Sequence, residues 1–307
     1  KRVMKNDFKS LLLMLVAVMS VTMFVACSKD KDEEPQPEPE KTYNLTGKVV
    51  NKYNKQPVVG ATVTIAYTHD KTVTQKTTTD ENGLYRFAKV KEGFHNYTCE
   101  KEKFFTHTGV LGVWEQSVEF DIDLSKDPAA YPPSTDELVD LGLSVKWASC
   151  NIGADAPEKT GGFYAWGELE TKEDYSEETS LYYKVEMPDI SGNPDYDVAA
   201  FLTEGKMRLP NEKEASELAE KCEKIGYIYN GVVGDLFIGP NEKSIFMPRT
   251  GVMLWKTLVV WPEPLLSCWT STPKASDTKK NEYSYEFGTS VGELPRIYGL
   301  QIRPVGK

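Results

Sequence analysis

Apolar and polar residues alternate along much of residues 43–124, which is the pattern of half-buried β-strands. In residues 118–124, four apolar side chains alternate with three acidic ones, as in a strand that closes a sheet. Residues 77–87 indicate a strand, a tight turn at Asn82 and Gly83, and a return strand. The pattern predicts an all-β region that includes a hairpin over residues 77–87.

A helical period appears only later in the chain. Apolar residues recur at i, i+3, i+4 and i+7 after Asn211, which can cap a helix, and Glu214 stands where a capping box requires an acid. Gly226 is a typical residue just past a helix end. We predict one main helix over about residues 211–225, set among strands and loops.

The change of pattern places a domain boundary near the middle of the chain. Three prolines interrupt both periodicities within residues 126–136, which we interpret as a linker. A chain of 307 residues is long enough for two domains with their own cores. We therefore expect a β domain at 43–125 and an α+β domain at 137–307.

The first 42 residues have the composition of an export signal followed by a flexible tether. Basic residues precede an apolar stretch that ends at Ala26, as in an export signal. The sequence Phe-Val-Ala-Cys at 24–27 resembles the lipobox of bacterial lipoproteins, which implies removal of residues 1–26 and acylation of Cys27. The alternative is a signal anchor that is never cut, with no role for Cys27.

Residues 27–42 are acidic and rich in proline, so they suit an extended tether. Their position resembles the signal that sends lipoproteins of Bacteroidota to the cell exterior. We expect an outer-membrane protein held by membrane lipid through acylated Cys27 and facing outward. A solvated tether with no sorting role is the alternative.

Three motifs in the first domain occur in a familiar order. They are Gly-x-Val-Val at 47–50, Pro-Val-x-Gly-Ala-x-Val at 57–63 and Thr-Asp-x-x-Gly-x-Tyr-x-Phe at 79–87. Together they resemble the carboxypeptidase-regulatory-like family. The resemblance implies a transthyretin-like β-sandwich of about seven strands that spaces or docks other domains and has no catalysis of its own.

The second domain contains six motifs, at 139–154, 164–168, 207–214, 244–251, 268–272 and 299–305. They resemble the Fibrobacter succinogenes major paralogous domain, which implies a C-type-lectin-like fold. Six residues inside these motifs are expected to be structural: Trp147, Trp166, Glu168, Arg208, Trp269 and Arg303. The tryptophans should be core aromatics, and the arginines should pair with buried carboxylates such as Asp140 or Glu168.

Charge and composition restrict the chemistry. The net charge is −10 and no dense basic run occurs beyond the N-terminus, so nucleic acid is not an expected partner. No histidine follows His107, which excludes a Ser-His-Asp system or a His-ligated zinc site built within the second domain. The acids Asp195 and Asp197 suit a solvated loop. We predict no catalytic residues, no metal and no cofactor.

Four cysteines remain after Cys27, and three of them fall in the second domain. At most one disulfide can form there, among Cys150, Cys222 and Cys268, and the sequence leaves the pair open.

Residues 253–266 are unusually apolar for a loop. If they are exposed, they form a ligand-binding surface whose candidate residues are Trp255, Lys256, Trp261 and Glu263. The alternative is a buried β-hairpin. The favoured function is non-catalytic binding of a glycan, a host surface or a protein. The alternatives are an accessory of a fimbria or nutrient-uptake complex, and an enzyme resembling formylglycine-generating proteins.

Overall fold

The structure is a computed structural model that describes residues 40–260, 265–274, 282–288 and 291–306. Residues 41–307 belong to one compact unit. The predicted export signal, Cys27 and most of the predicted tether lie outside the described residues. No helix in the described ranges is both long enough and apolar enough to cross a membrane.

The first folded region is a sandwich of two four-stranded sheets. One sheet has the order β3-β2-β5-β6, and in the other β1 lies between β4 on one side and β7 and β8 on the other. Inward residues of both sheets form one core, which includes Leu45, Val63, Phe87 and Ile122. The strands are β1 Thr42–Asn51, β2 Thr62–Tyr67, β3 Thr74–Thr78, β4 Leu84–Lys91, β5 Gly93–Glu100, β6 His107–Val113, β7 Val118–Glu119 and β8 Ile122–Leu124. The all-β prediction for this region is confirmed.

The hairpin predicted over residues 77–87 is wrong. Strand β3 pairs with β2 and strand β4 pairs with β1, so the turn between them crosses from one sheet to the other. Gly83 has the expected positive φ of 74°, and a Cβ there would lie 2.6 Å from the carbonyl oxygen of Val49. The turn was recognisable in sequence, but the partner of each strand depends on distant residues.

The strand predicted at 118–124 is divided into β7 and β8. Between them, the carboxylate of Asp121 accepts the main-chain N–H of Lys48 at 2.7 Å, so a side chain replaces one rung of the ladder. Opposite this break, a Cβ on Gly47 would collide with the carbonyl group of Phe120. Glycine is therefore required at position 47 for the close approach of the two chains.

The second region combines four small sheets with two helices and long ordered loops. The sheets have the orders β9-β10-β19, β11-β12-β13, β14-β15 and β16-β17-β18. A 3-10 helix at Pro128–Ala130 precedes them. The elements are β9 Leu138–Val139, β10 Lys146–Ala148, α1 Val198–Leu202, α2 Glu212–Lys221, β11 Glu223–Tyr229, β12 Val232–Ile238, β13 Ser244–Pro248, β14 Val252–Leu254, β15 Thr257–Val259, β16 Ser267–Pro273, β17 Tyr283–Gly288, β18 Val291–Pro295 and β19 Val305–Gly306.

Helix α2 begins where predicted and ends earlier. Asn211 and Glu214 form a reciprocal capping box, each side chain accepting the other residue's main-chain N–H at 2.9 Å. The helix ends at Lys221 instead of residue 225, and Gly226 lies within β11, paired with Asp235. Residues 223–229 are rich in isoleucine and tyrosine, which favour a strand once β12 is available as a partner.

The linker packs into the second region. The Tyr131 ring is buried with Leu236, Ile238 and Phe246, and the Ser244 hydroxyl donates to the carbonyl oxygen of Tyr131 at 3.0 Å. Proline breaks the sequence pattern here, but the segment is held by side chains and hydrogen bonds.

Buried polar contacts join the sandwich to the second region. The carboxylate of Glu223 is buried and accepts the Asn51 side-chain amide at 2.9 Å, with Lys126 Nζ 3.4 Å away. Lys103 pairs with Glu242 at the same junction, and the ammonium groups of Lys103 and Lys126 lie 5.4 and 5.0 Å from the centre of the Tyr131 ring. The two folded regions therefore contact each other directly.

Candidate ligand-binding site

The tryptophans of the motifs lie in the core of the second region. Trp147, Trp166 and Trp269 are at most 1% exposed, and their rings are not available to a ligand. Trp166 Nε1 donates to the carbonyl oxygen of Thr270 and Trp269 Nε1 to that of Tyr164, both at 2.9 Å. These bonds satisfy the indole N–H groups of Trp166 and Trp269, whereas the buried Trp147 Nε1 has no hydrogen-bond partner among the described residues.

The expected pairing with a carboxylate is found for Arg208 but not for Arg303, and neither arginine pairs with Asp140 or Glu168. Arg208 pairs with Glu214, the capping-box acid, through two hydrogen bonds of 2.8 and 2.6 Å. Arg303 is fully buried and donates to Asn151 Oδ1 at 2.8 Å and to main-chain carbonyl oxygens, and no described carboxylate pairs with it. Burial lowers the pKa of Arg303 to about 10.

Asp197 was expected in a solvated loop but is buried, and Glu168, which was expected to be structural, is buried as well. Asp197 is fully buried and caps α1, and Glu168 is 6% exposed beside Lys172. Asp197 precedes a short apolar run, which is the sequence signal of an N-cap that the solvated-loop interpretation overlooked.

The described cysteines Cys99, Cys150, Cys222 and Cys268 are all free thiols, so the structure contains no disulfide among the three candidates of the second region. Burial raises the pKa of both the Cys222 and the Cys268 thiols to about 12. A buried thiol with a raised pKa is a poor nucleophile.

The apolar segment after residue 251 forms a hairpin whose tip is exposed. Strands β14 and β15 are joined by Trp255 and Lys256, and the Trp255 side chain is 66% exposed. Trp255 has a φ of 49°, in the left-handed region that a bulky residue rarely adopts. Such a conformation persists only where the surrounding structure holds it.

Two neighbouring segments hold the hairpin. The main chain of Trp255 exchanges hydrogen bonds with that of Tyr175, at 2.8 and 3.2 Å, and Met253 does the same with Gly299, at 2.9 Å in both directions. Tyr175 is itself buried and its hydroxyl donates to the carbonyl oxygen of Phe163 at 2.6 Å. The backbone of Trp255 is fixed, and the indole projects into solvent.

A cavity of about 380 Å³ lies beside the segment that holds this hairpin. Its lining includes Glu168, Glu170, Lys172, Thr179, Tyr182 and Asp195. Lys172 Nζ lies 2.9 Å from the Glu168 carboxylate, donates to the carbonyl oxygen of Thr179 at 3.1 Å, and sits 5.7 Å from the centre of the Tyr175 ring. Lys172 therefore connects the cavity wall to Tyr175, whose main chain pairs with Trp255.

This part of the surface is strongly acidic. Between residues 168 and 178 the chain carries six Asp or Glu residues and one Lys. Lys256, next to Trp255, lies 3.9 Å from the Asp174 carboxylate. The negative charge of Asp174 therefore partly cancels the attraction of Lys256 for an anionic ligand. An acidic field of this kind repels polyanions and tolerates neutral or cationic ligands.

Both sequence interpretations of residues 253–266 describe part of what is seen. The segment forms a β-hairpin, as one interpretation predicted. Its residues Trp255, Lys256 and Leu258 are exposed, as the interpretation of a ligand-binding surface predicted. Trp261 and Glu263 lie outside the described residues. In the described ranges, no group of three or more His, Cys, Asp or Glu residues is arranged to hold a metal ion.

The sequence analysis named Glu168 and Asp195 but not the cavity that they line, and it missed the other residues around that cavity. Leu181 and Tyr182 line it and Arg296 lies behind it, with its guanidinium 4.3 Å from the Trp166 ring and donating to the carbonyl oxygen of Val185. None of these residues lies in a periodic segment or a motif, so no local signal marks them.

Comparison with known proteins assigns the first folded region. Residues 44–125 match the carboxypeptidase regulatory-like domain family, so this region is a carboxypeptidase regulatory-like domain. The match agrees with the β-sandwich found at these residues. No curated protein sequence matches the chain.

Several solved structures resemble about a third of the chain or less. They include the major pilin subunit BcpA of Bacillus cereus, at 18% identity, a TM-score of 0.24 and coverage of 28% of this chain and 30% of that one. 3-Chlorocatechol 1,2-dioxygenase from Rhodococcus opacus 1CP shares 13% identity, with a TM-score of 0.25 and coverage of 29% and 62%. The Bacillus anthracis TIE protein shares 19% identity, with a TM-score of 0.25 and coverage of 28% and 17%. At such scores none of them bears on function.

Proposed function

We propose that the protein is a non-catalytic glycan-binding lipoprotein of the cell surface, and that the second region is its binding head. The observation that carries this proposal is the Trp255 indole, exposed on a hairpin held by Tyr175, whose ring lies 5.7 Å from Lys172 in the wall of a cavity of about 380 Å³. The same motifs that resemble the Fibrobacter succinogenes major paralogous domain support a C-type-lectin-like fold for this head, with small sheets, one main helix and long ordered loops.

A fixed, exposed indole is well suited to a sugar ring. The flat aromatic face packs against the C–H groups of a saccharide, and little conformational entropy is lost because the backbone is already held. Carboxylates and hydroxyls in the adjacent cavity, among them Glu170, Thr179 and Asp195, can accept hydrogen bonds from sugar hydroxyls. Apolar contact and directional polar groups together are what ligand sites in proteins combine.

The charge of the site selects the class of glycan. Acidic residues dominate between 168 and 178, so sulfated and sialylated chains would meet like charge. Neutral glycans avoid this repulsion, and amino sugars with free amines would be attracted. We therefore propose neutral or cationic saccharides as the ligands.

Retention at the membrane through acylated Cys27 belongs to the same proposal. The basic and apolar residues before Cys27, and the acidic, proline-rich run after it, support export, lipid attachment and outward display. In this arrangement the carboxypeptidase regulatory-like domain spaces the binding head from the lipid. A Cys27→Ala variant tests the lipid attachment. Because this variant lacks the acylated thiol, the protein should appear in the soluble fraction.

The first prediction concerns Trp255. The full chain should bind members of a glycan array that are neutral or carry free amines, and Trp255→Ala should weaken that binding about five- to thirtyfold, because the aromatic contact contributes about 1–2 kcal/mol. The measurement is titration of the best neutral hit by calorimetry, with circular dichroism to verify that the variant folds.

Tyr53→Ala is the matched control. Tyr53 is an exposed aromatic side chain of the sandwich, 47% accessible, and lies outside the proposed site. Equal losses in both variants, or array hits confined to sulfated and sialylated glycans, would contradict the proposal.

A further inference from the structure

The sandwich carries a cavity of its own, of about 390 Å³. None of its lining residues lines the cavity of the second region. Its volume falls within the range of small-ligand sites, about 300–1,000 Å³. The side chains that matter below come from three strands and from the segment before β4, and they are Thr46, Thr77, Asp80, Leu84, Arg86 and Glu119.

The register of the sheet places Arg86 and Glu119 on either side of Thr46. Thr46 of β1 pairs with Arg86 of β4 and with Glu119 of β7. Paired residues of neighbouring strands point to the same face of a sheet. Leu45 and Phe87, the chain neighbours of Thr46 and Arg86, point into the core, so this row of three faces outward. A guanidinium and a carboxylate therefore flank one threonine hydroxyl.

Both charged groups are open to a ligand. Within the part of the chain that the structure describes, neither Arg86 nor Glu119 makes a side-chain hydrogen bond or an ion pair, although they share one face. The other four arginines of the described ranges all donate hydrogen bonds, and they are Arg208, Arg249, Arg296 and Arg303. Arg86 is thus the exception, and its charge lies in the wall of a cavity.

The side of the cavity formed by residues 77–80 is held in place. The Asp80 carboxylate accepts the main-chain N–H groups of Asn82 and Leu84, both at 2.9 Å. The Thr79 hydroxyl is buried and donates to a main-chain carbonyl oxygen at 2.6 Å. The cavity is therefore formed before a ligand arrives, which limits the entropy lost on binding.

We propose that this cavity binds a free α-amino acid, with the ligand carboxylate on Arg86 and the ligand ammonium on Glu119. Two strand spacings of about 4.8 Å separate the Cα atoms of these residues by about 9.6 Å. A charge-assisted hydrogen bond of about 2.8 Å at each end leaves about 4 Å for the ligand. One extended residue spans about 3.3–3.6 Å. A longer peptide, whose two charged ends lie further apart, cannot bridge both groups.

The rest of the lining selects among amino acids. Asp80 and Glu119 outnumber the single basic residue Arg86, and the whole chain carries −10. An acidic ligand side chain would therefore meet like charge. Leu84 is 49% exposed and offers apolar contact to an aliphatic side chain. We expect leucine and lysine to bind and aspartate to be rejected.

Calorimetric titration of the detergent-solubilised full chain with leucine tests the proposal. Leucine should bind with a dissociation constant below about 1 mM. Leucinamide lacks the carboxylate and N-acetylleucine lacks the ammonium, so each should bind at least about tenfold more weakly, because each loses one charged hydrogen bond. No binding of leucine, or equal affinities for the three compounds, would overturn the proposal. Acetate binding as tightly as leucine would also overturn it, because the site would then recognise only an anion.

Two variants assign the contacts. Arg86→Gln should weaken leucine binding about tenfold or more and remove the preference over leucinamide, whereas Glu119→Gln should remove the preference over N-acetylleucine. Lys76→Gln and Glu100→Gln are the matched controls, since both residues are exposed on the other sheet and lie outside the cavity. Equal losses in variants and controls would contradict the assigned contacts. Trp255→Ala should leave leucine binding intact, so failure of the glycan proposal would not affect this result.

Discussion

Glu286 shows how a single half-buried acid can give the protein a pH-dependent stability. Its carboxylate accepts the Ser267 hydroxyl at 2.9 Å within the β16-β17-β18 sheet. Burial raises the pKa of Glu286 to about 7, and the Ser267 hydrogen bond opposes the shift. The folded protein therefore binds this proton more tightly than the unfolded chain does.

The stability from Glu286 should be complete below about pH 4.5 and be lost as the pH rises through about 7. Glu286→Gln stays neutral and can still accept from Ser267, so the melting temperature of the native chain relative to this variant should fall by a few degrees between pH 5 and pH 8.5. Differential scanning fluorimetry across that range measures it. Parallel curves for the two proteins would contradict the expected pKa.

At the scale of an element, Asp197 organises the start of α1 and the loops around it. Its carboxylate accepts main-chain N–H groups from Gly192 at 2.8 Å, Leu209 at 2.9 Å and Ala200 at 3.0 Å. The three donors come from separate segments that the side chain holds together. Helix α1 has only five residues, so it depends on such contacts.

Asp197→Ala should lower the free energy of unfolding by at least about 2 kcal/mol, because three buried N–H groups lose their acceptor. Urea denaturation followed by circular dichroism measures the change. Asp195→Ala, which removes an exposed acid two residues away, is the matched control and should change stability by less than about 0.5 kcal/mol. Similar losses in the two variants would contradict the assigned role.

At this scale, the sequence predicts well those features that depend on neighbouring residues. The start of α2, the positive φ of Gly83 and the alternation of the sandwich strands depend on residues close together in the chain. The end of α2 was mispredicted because β11 is a strand only when β12 pairs with it. The crossing between β3 and β4, and the cavity near Tyr182, likewise depend on segments that are distant in sequence.

For the whole molecule, we expect the contacts of Glu223 at the junction to make the two folded regions unfold together. Removing this carboxylate leaves the Asn51 amide and the Lys126 ammonium without their buried partner. Glu223→Ala should therefore cost about 3 kcal/mol and weaken the coupling between the regions. Calorimetry should show one transition for the native chain and a broader or divided one for the variant.

Glu242→Ala serves as the comparison. Its pair with Lys103 is at the same junction but is solvent-exposed, so its loss should cost less than about 1 kcal/mol and leave a single transition. If Glu223→Ala behaves like Glu242→Ala, the buried contacts do not couple the two regions.

At Trp255, the stability of the fold and the exposure of the indole favour different residues, because the backbone there is left-handed. A glycine would adopt a φ of 49° without the cost of about 1 kcal/mol that a bulky side chain incurs, so this residue weakens the fold that carries it. Engineering this protein for heat resistance would select glycine there and lose the indole from the surface. Thermostability is thus an unsafe guide for improving variants of this head, because a substitution that relieves backbone strain on the hairpin removes the exposed Trp255 ring.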